Sequence, residues 1–272
     1  MTDAVPRPRP IQLQSRRSSA SVPFVYEEGT TASLHFEIEG VQSRMDKEHP
    51  DRLMLTYTQI MMGFLLLNDS PRHIGMIGLG GGSLPKYCHR HLPKTRMSVA
   101  EISPDVIALR GYFQIPEDDD RFKVILEDGA EFVSRMPLAF DVLLVDGFDM
   151  SGQPPQLCSE AFYEDAHRSL TPNGILVVNL CDWGYKVALR RIRAVFEDVL
   201  LCDCPDGTNR IAFARKYDMF NPSPQQLMER AKELSLLHPL DLDAVARQFA
   251  SLAQNAGRGS QQAGPELLVD FT

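Results

Sequence analysis

The sequence predicts an α/β protein with a mostly parallel sheet, helices on both faces and a small β unit in front. From His73 onward, short apolar runs alternate with helical segments, a pattern typical of parallel strands joined by right-handed crossovers. Residues 142–145 are apolar throughout, as expected of a strand that is buried on both faces. Residues 33–39 alternate polar and apolar side chains, which indicates a half-buried strand.

Composition limits the class of protein. The 272 residues are 43% hydrophobic and 24% charged, enough for one large domain or two small ones. A net charge of −8 disfavours nucleic acid as a partner, because binding phosphates needs clustered Lys and Arg. No apolar run reaches the roughly 18 residues of a membrane span, so we expect no membrane partner. Five cysteines without a CxxC pair predict no metal site and a reducing, cytoplasmic location.

The chain divides into four predicted segments. We expect a disordered tail over 1–22, a β unit plus helix over 23–70, a nucleoside-binding catalytic domain over 71–254, and a frayed tail over 255–272. The predicted strands are 73–77, 96–100, 122–126, 140–145 and 174–179, with closing edge strands at 199–201 and 210–214. The predicted helices are 52–67, 83–91, 104–112, 130–136, 160–170 and 223–253.

Glycines follow the first strand of the main sheet. Gly78, Gly80 and Gly82 allow a tight turn and a close approach of the backbone to a ligand, and a helix begins at Ser83. The motif half-matches the dinucleotide fingerprint GxGxxG, with Ser83 in place of the last glycine. Either a cofactor loop or a simple tight turn fits this pattern.

Acidic residues follow the second and third strands. Glu101 comes about 20 residues after the glycines, where a carboxylate accepts hydrogen bonds from ribose hydroxyls. Asp128 is a candidate acceptor for an adenine amino group, with Gly129 leaving room for the base; Asp128 is also a good helix N-cap. A nicotinamide cofactor and an adenosyl sulfonium both remain possible from these residues.

Two further carboxylates follow the fourth strand, Asp146 and Asp149. Buried acids without partners are costly, and a cationic amine substrate is one reason to place two of them at a pocket mouth. One can hold the ammonium group while the other accepts a proton from the attacking nitrogen. The alternative is an ordinary turn, for which both residues are also suited.

In their order and spacing, these motifs resemble the polyamine aminopropyltransferases, the spermidine/spermine synthase family. The resemblance covers about residues 24–216 and rests on these segments: Ile77-Gly78-Leu79-Gly80-Gly81-Gly82, Ala100-Glu101-Ile102, Asp128-Gly129-x-x-Phe132, Asp146-Gly147-Phe148-Asp149 and, upstream, Gly40-Val41-Gln42-Ser43 with Tyr57. It implies a Rossmann-like, methyltransferase-type sheet and decarboxylated S-adenosylmethionine as co-substrate, without a metal. It also implies site roles: Asp146 as general base, Asp149 and Tyr57 for the amine, and, for the nucleoside, Gln42, Gly78, Gly80, Gly82, Glu101, Asp128 and Gly129.

The chain departs from the family pattern at three places. Gly81 replaces an aspartate that holds the co-substrate amine, the catalytic loop reads Asp146-Gly147-Phe148-Asp149-Met150, and Cys204 stands where a pocket tyrosine is usual. A methyltransferase that uses S-adenosylmethionine and a non-catalytic nucleoside-binding homologue therefore remain alternatives. We also expect a homodimer, because the apolar N-terminal unit and helix 52–67 are richer in apolar residues than one buried face needs.

Overall fold

The computed structural model describes residues 22–37, 40–148, 152–181, 184–216 and 222–262. Its first unit is a three-stranded antiparallel sheet made of β1 (Phe24–Glu28), β2 (Thr31–His35) and β3 (Val41–Asp46). The predicted strand over 33–39 is too long, because the β2–β3 register shifts at Leu34/His35 and β2 ends there. Such a bulge bends a strand and ends its regular pairing.

The apolar segment after the small sheet is not one helix from residue 52 to 67. Helix α1 (Thr56–Met61) begins only after Leu55, which is extended, and continues as a 3-10 helix over Met62–Leu66. Residues 61–66 are buried in the main core. A Cβ on Gly63 would lie 2.8 Å from Val245 Cγ1, so this segment packs closely inside the chain. The apolar side chains of residues 61–66 are therefore used inside the chain.

The predicted mostly parallel sheet is confirmed. Its seven strands run in the order β6-β5-β4-β7-β8-β10-β9, and only β10 is antiparallel to its neighbours. The strands are β4 (His73–Ile77), β5 (Arg96–Glu101), β6 (Phe122–Leu126), β7 (Phe140–Val145), β8 (Leu170–Leu180), β9 (Asp198–Asp203) and β10 (Arg210–Arg215). From β4 the strand order continues to β5 and β6 on one side and to β7 and β8 on the other. A crevice therefore opens at the carboxyl ends of β4 and its neighbours.

Helices cover both faces of this sheet. They are α2 (Ser83–His91), α3 (Pro104–Ala108), α4 (Gly129–Ser134), α5 (Glu160–Ser169), α6 (Tyr185–Val195), α7 (Pro224–Leu237) and α8 (Asp243–Gln262). Neighbouring strand residues enter different cores: Met76 belongs to the hydrophobic cluster that includes residues of α1, α2, α7 and α8, and Ile77 belongs to the one that includes residues of α4, α5 and α6. This is the period of two that a strand imposes on its side chains. None of the helices in the described ranges is long and apolar enough to cross a bilayer.

The predicted helix over 223–253 is wrong as one element. A capping box made by Ser223 and Gln226 starts α7, which ends at Leu237, and α8 begins at Asp243. The break falls at His238-Pro239, where proline disfavours the helical conformation of the residue before it, and His238 is extended. The predicted domain boundaries stay a prediction, since one hydrophobic cluster includes Leu34 of the small sheet and Leu79 of the main unit.

Candidate active site

A cavity of about 810 Å³ opens at the carboxyl ends of β4, β5, β7 and β8, against the small sheet and α1. Among the described residues, four acidic side chains line it, Glu101, Asp128, Asp146 and Asp206, and no Lys, Arg or His does. The remaining wall is largely apolar, with small polar groups from Gln42, Ser43, Asn179 and Asn209. Such a cavity suits an elongated ligand that is partly apolar and carries positive charge.

The glycine loop after β4 forms one wall of the cavity. Gly78 has φ +90°, and a Cβ there would lie 2.3 Å from the carbonyl oxygen of Asp146, so only glycine lets the ends of β4 and β7 meet. Gly80 also has positive φ and lines the cavity. Gly82, predicted to bind the nucleoside, is not on the wall. It is the left-handed N-cap of α2, and a Cβ would lie 2.4 Å from Ile115. Glycine at residue 82 therefore allows the start of α2 to pack against Ile115.

Glu101 is buried at the end of β5 and holds the glycine loop. Its Oε2 accepts a hydrogen bond from Leu79 N at 2.8 Å, and its Oε1 accepts one from Ser103 N at 2.8 Å. A carboxylate has about four acceptor sites, so each oxygen retains one for a ligand. Glu101 can therefore fix the loop and still accept hydrogen bonds from a diol.

Gly81 is enclosed by the small sheet. A Cβ at this position would lie 2.6 Å from Ser43 Oγ and 3.1 Å from a ring carbon of Phe113. Ser43 Oγ also lies 3.3 Å from Ser83 Oγ, which ties β3 to the first residue of α2. The serine that breaks the glycine fingerprint is thus a contact between the two units, and a side chain at residue 81 would require Ser43 and Phe113 to shift.

Asp128 and Gly129 stand at the start of α4 on the cavity wall. Asp128 is the N-cap, and its Oδ1 accepts from Ala130 N at 2.7 Å, which leaves its other oxygen for a donor in the cavity. A Cβ on Gly129 would lie 2.3 Å from Ile77 Cγ2. The glycine is therefore required for packing α4 on β4, a reason that differs from the predicted room for a base.

Asp146 lies at the centre of a polar network. Its Oδ1 accepts from Asn179 Nδ2 at 2.8 Å, and its Oδ2 accepts from the Tyr57 hydroxyl at 3.2 Å. Burial raises the pKa of the Asp146 carboxyl above its ordinary value, and the bonds from Asn179 and Tyr57 only partly oppose this. The result is a carboxylate that is fixed in orientation and more basic than one in water.

Tyr57, at the start of α1, acts in this network as a neutral donor. Burial, and next the Asp146 carboxylate, hold the pKa of its phenol well above the ordinary value. Tyr57 belongs to the segment in front of the main sheet, whereas Asp146 follows β7. The predicted amine site is thus assembled from two parts of the chain, and its orientation depends on both.

The cavity brings together most residues singled out in the sequence: Gln42, Tyr57, Gly78, Gly80, Glu101, Asp128, Gly129 and Asp146. Asp149 lies outside the described residues. Cys204 is buried and is not among the lining residues. Sequence reasoning missed Asn179, Asn209 and Asp206. Asn179 could have been found, since it is the polar residue near the carboxyl end of β8, where the other candidates were sought.

The strand order and the glycine loop at the switch point place the chain in the Rossmann-like, methyltransferase-type class of α/β proteins. A polyamine aminopropyltransferase of Chromobacterium violaceum is 41% identical over 96% of this chain and 99% of its own length. Human methyltransferase-like protein 13, solved with SAH, has a TM-score of 0.61 and 26% identity, over 67% of this chain and 92% of that one. A spermidine synthase solved with the transition-state analogue AdoDATO has a TM-score of 0.67 and 22% identity, over 90% of this chain and 89% of its own.

A family profile described as the spermine/spermidine synthase domain matches residues 54–194. The chain belongs to this family, and it is an enzyme of the transferase class. The family predicted from the short motifs is therefore confirmed.

Proposed function

We propose that this enzyme transfers an aminopropyl group from decarboxylated S-adenosylmethionine to a polyamine acceptor such as putrescine. The observation that carries the proposal is the cavity wall, where the described residues supply four carboxylates and no cationic side chain. The decarboxylated co-substrate and a diamine are both cations. Intact S-adenosylmethionine has in addition a carboxylate, for which no described lining residue offers a counter-charge.

The nucleoside would lie along β4, β5 and β6. Glu101 would accept the ribose hydroxyls through its remaining acceptor sites, Asp128 would accept the adenine amino group, and Gly78 and Gly80 would let the backbone approach. Gln42 would contact the co-substrate from the small sheet, as the family resemblance implies. In this proposal the co-substrate is consumed in each turnover, and no metal takes part.

The reaction proceeds at the carboxyl end of β7. The acceptor ammonium has a pKa near 10 and must lose a proton before its nitrogen can attack. Asp146, the general base, takes that proton. The nitrogen lone pair then bonds to the propyl carbon next to the sulfonium, the carbon–sulfur bond breaks, and sulfur keeps the electron pair as methylthioadenosine leaves. Tyr57 and Asn179 hold the carboxylate in position for the first step.

A product assay tests the proposal. The full chain is incubated with either decarboxylated or intact S-adenosylmethionine and with putrescine, cadaverine or spermidine, and nucleoside products are separated by chromatography. We expect methylthioadenosine from the decarboxylated co-substrate. Its absence with every amine would overturn the proposal.

Methyl transfer is the second candidate, because Gly81 leaves the loop without an acidic side chain and because a methyltransferase shares this fold. It predicts S-adenosylhomocysteine as the nucleoside product. Binding of either co-substrate without any nucleoside product would instead favour a non-catalytic homologue.

A further inference from the structure

The tip of the β9–β10 hairpin contributes an acidic residue to the cavity. Gly207 N donates to Cys204 O at 2.9 Å, and Cys204 N donates to Asn209 O at 3.0 Å, so residues 204–207 form a tight turn. Pro205 fixes the first central residue of this turn, and Gly207 takes the positive φ, +71°, that follows it. This turn therefore holds Asp206, an exposed residue that lines the cavity.

Within the described ranges, only one carboxylate oxygen of Asp206 accepts hydrogen bonds. Its Oδ1 accepts from Thr208 N at 3.1 Å and lies 2.8 Å from Thr208 Oγ1. In the part of the chain that the structure describes, no cationic side chain forms an ion pair with Asp206. Asp203, on the same hairpin, differs in both respects: it pairs with Arg210 at 3.1 Å and is not on the cavity wall.

The hairpin is joined to the base through two amides. Asn209 Nδ2 donates to Asn179 Oδ1 at 2.9 Å, and Asn179 Nδ2 donates to Asp146 Oδ1 at 2.8 Å. Asp206 and Asn209 both line the cavity and are three residues apart on this hairpin, so the hairpin that contacts Asn179 also carries the Asp206 carboxylate. Asn209 fixes this position relative to Asp146.

We propose that Asp206 binds the ammonium group of the acceptor that does not react, and so positions a diamine or longer polyamine in preference to a monoamine. This inference rests on the proposed aminopropyl transfer. While one nitrogen gives its proton to Asp146, the second keeps its charge at neutral pH, and a cation in a partly apolar cavity needs a carboxylate partner. The second oxygen of Asp206, an exposed residue of the cavity wall, supplies a charge-assisted hydrogen bond.

The test compares Asp206→Asn with Asp203→Asn. Asparagine keeps the oxygen that accepts from Thr208, so the turn is retained, and both variants remove one negative charge from the same hairpin. We expect Asp206→Asn to raise KM for putrescine about 10-fold, with kcat and the KM of the co-substrate little changed. Asp203→Asn should match the wild type.

Binding without turnover gives a second readout. Calorimetry on protein saturated with methylthioadenosine compares putrescine with 1-aminobutane, which has the same carbon chain and one amine. The wild type should bind the diamine about 10-fold more tightly, and Asp206→Asn should bind both alike. The proposed role of Asp206 would be overturned if Asp206→Asn and Asp203→Asn lost diamine affinity equally, or if Asp206→Asn bound the diamine as tightly as the wild type. If the wild type forms no methylthioadenosine, the proposed function fails, and the same calorimetric comparison still decides whether Asp206 binds an amine.

Discussion

Asp146 combines a raised pKa with two fixed donors, and its proposed role as general base depends on this combination. A raised pKa makes a carboxylate a better proton acceptor, but it also moves the loss of the charged form to higher pH. The hydrogen bonds from Tyr57 and Asn179 stabilise the charged form and prevent a larger rise. Burial therefore raises the pKa of the proposed base, and two neutral donors limit that rise.

Asp146→Asn keeps the shape of the side chain and removes the proton acceptor. We expect kcat to fall about 10²- to 10⁴-fold, with a much smaller change in co-substrate affinity, because the proposed nucleoside contacts lie on other strands. The wild-type rate should fall as the pH decreases and Asp146 becomes protonated. Because the pKa of Asp146 is raised, this fall should begin at a higher pH than for an ordinary carboxyl group. The rate of the Asp146→Asn variant should not show this fall. Steady-state kinetics across pH and calorimetry check both effects, with Asp203→Asn as control. Full activity in the variant would show that Asp146 is not the base.

Glu101 accepts backbone N–H groups through both of its oxygens, so its removal affects the loop as well as the ligand. We expect Glu101→Ala to weaken co-substrate binding roughly 10- to 100-fold. Glu101→Gln should not restore binding, because its amide group would turn a donor toward Leu79 N or Ser103 N. Calorimetry on the folded variants measures the dissociation constant of the co-substrate. An unchanged constant in Glu101→Ala would contradict the proposed role of Glu101 in nucleoside binding.

At the scale of elements, the close packing of α4 on β4 depends on Gly129. A Cβ there would meet Ile77 Cγ2 at 2.3 Å, so we expect Gly129→Ala to lower the free energy of unfolding by about 1–3 kcal/mol. Ile77→Ala removes the colliding atoms, and in that background the same change should cost much less. Urea unfolding of the wild type, both single variants and the double variant gives the coupling. An equal cost in both backgrounds would contradict the packing explanation.

The elements also show what sequence can predict here. Residues directly after strands, such as Glu101 and Asp146, were found because parallel strands bring their carboxyl ends to one edge. The break before Pro239 was visible in the sequence and was missed. The contact of Asn209 with Asn179 could not be read from sequence, because it requires the register of β8 against β10, where Asn179 pairs with Ile211. Register between distant strands depends on the whole sheet.

For the whole molecule, the homodimer remains a prediction. Residues 61–66 are buried within the chain, which leaves the apolar N-terminal unit as the reason for it. Light scattering at micromolar concentration is the direct measurement. For a chain of 30.5 kDa, a dimer predicts a mass of about 61 kDa, and the single-chain mass would remove the prediction.

The absence of cationic side chains among the described lining residues has a kinetic consequence. A cavity with carboxylates alone, in a protein of net charge −8, projects a negative potential into the solvent and attracts polycations before they touch the protein. Capture of the acceptor should therefore depend on ionic strength. We expect kcat/KM for a diamine to fall as salt rises from about 0.01 M to 0.15 M, where the screening length shortens from roughly 30 Å to 8 Å. Affinity for methylthioadenosine, which is uncharged, should change little over the same range, and equal sensitivity of both would contradict long-range steering.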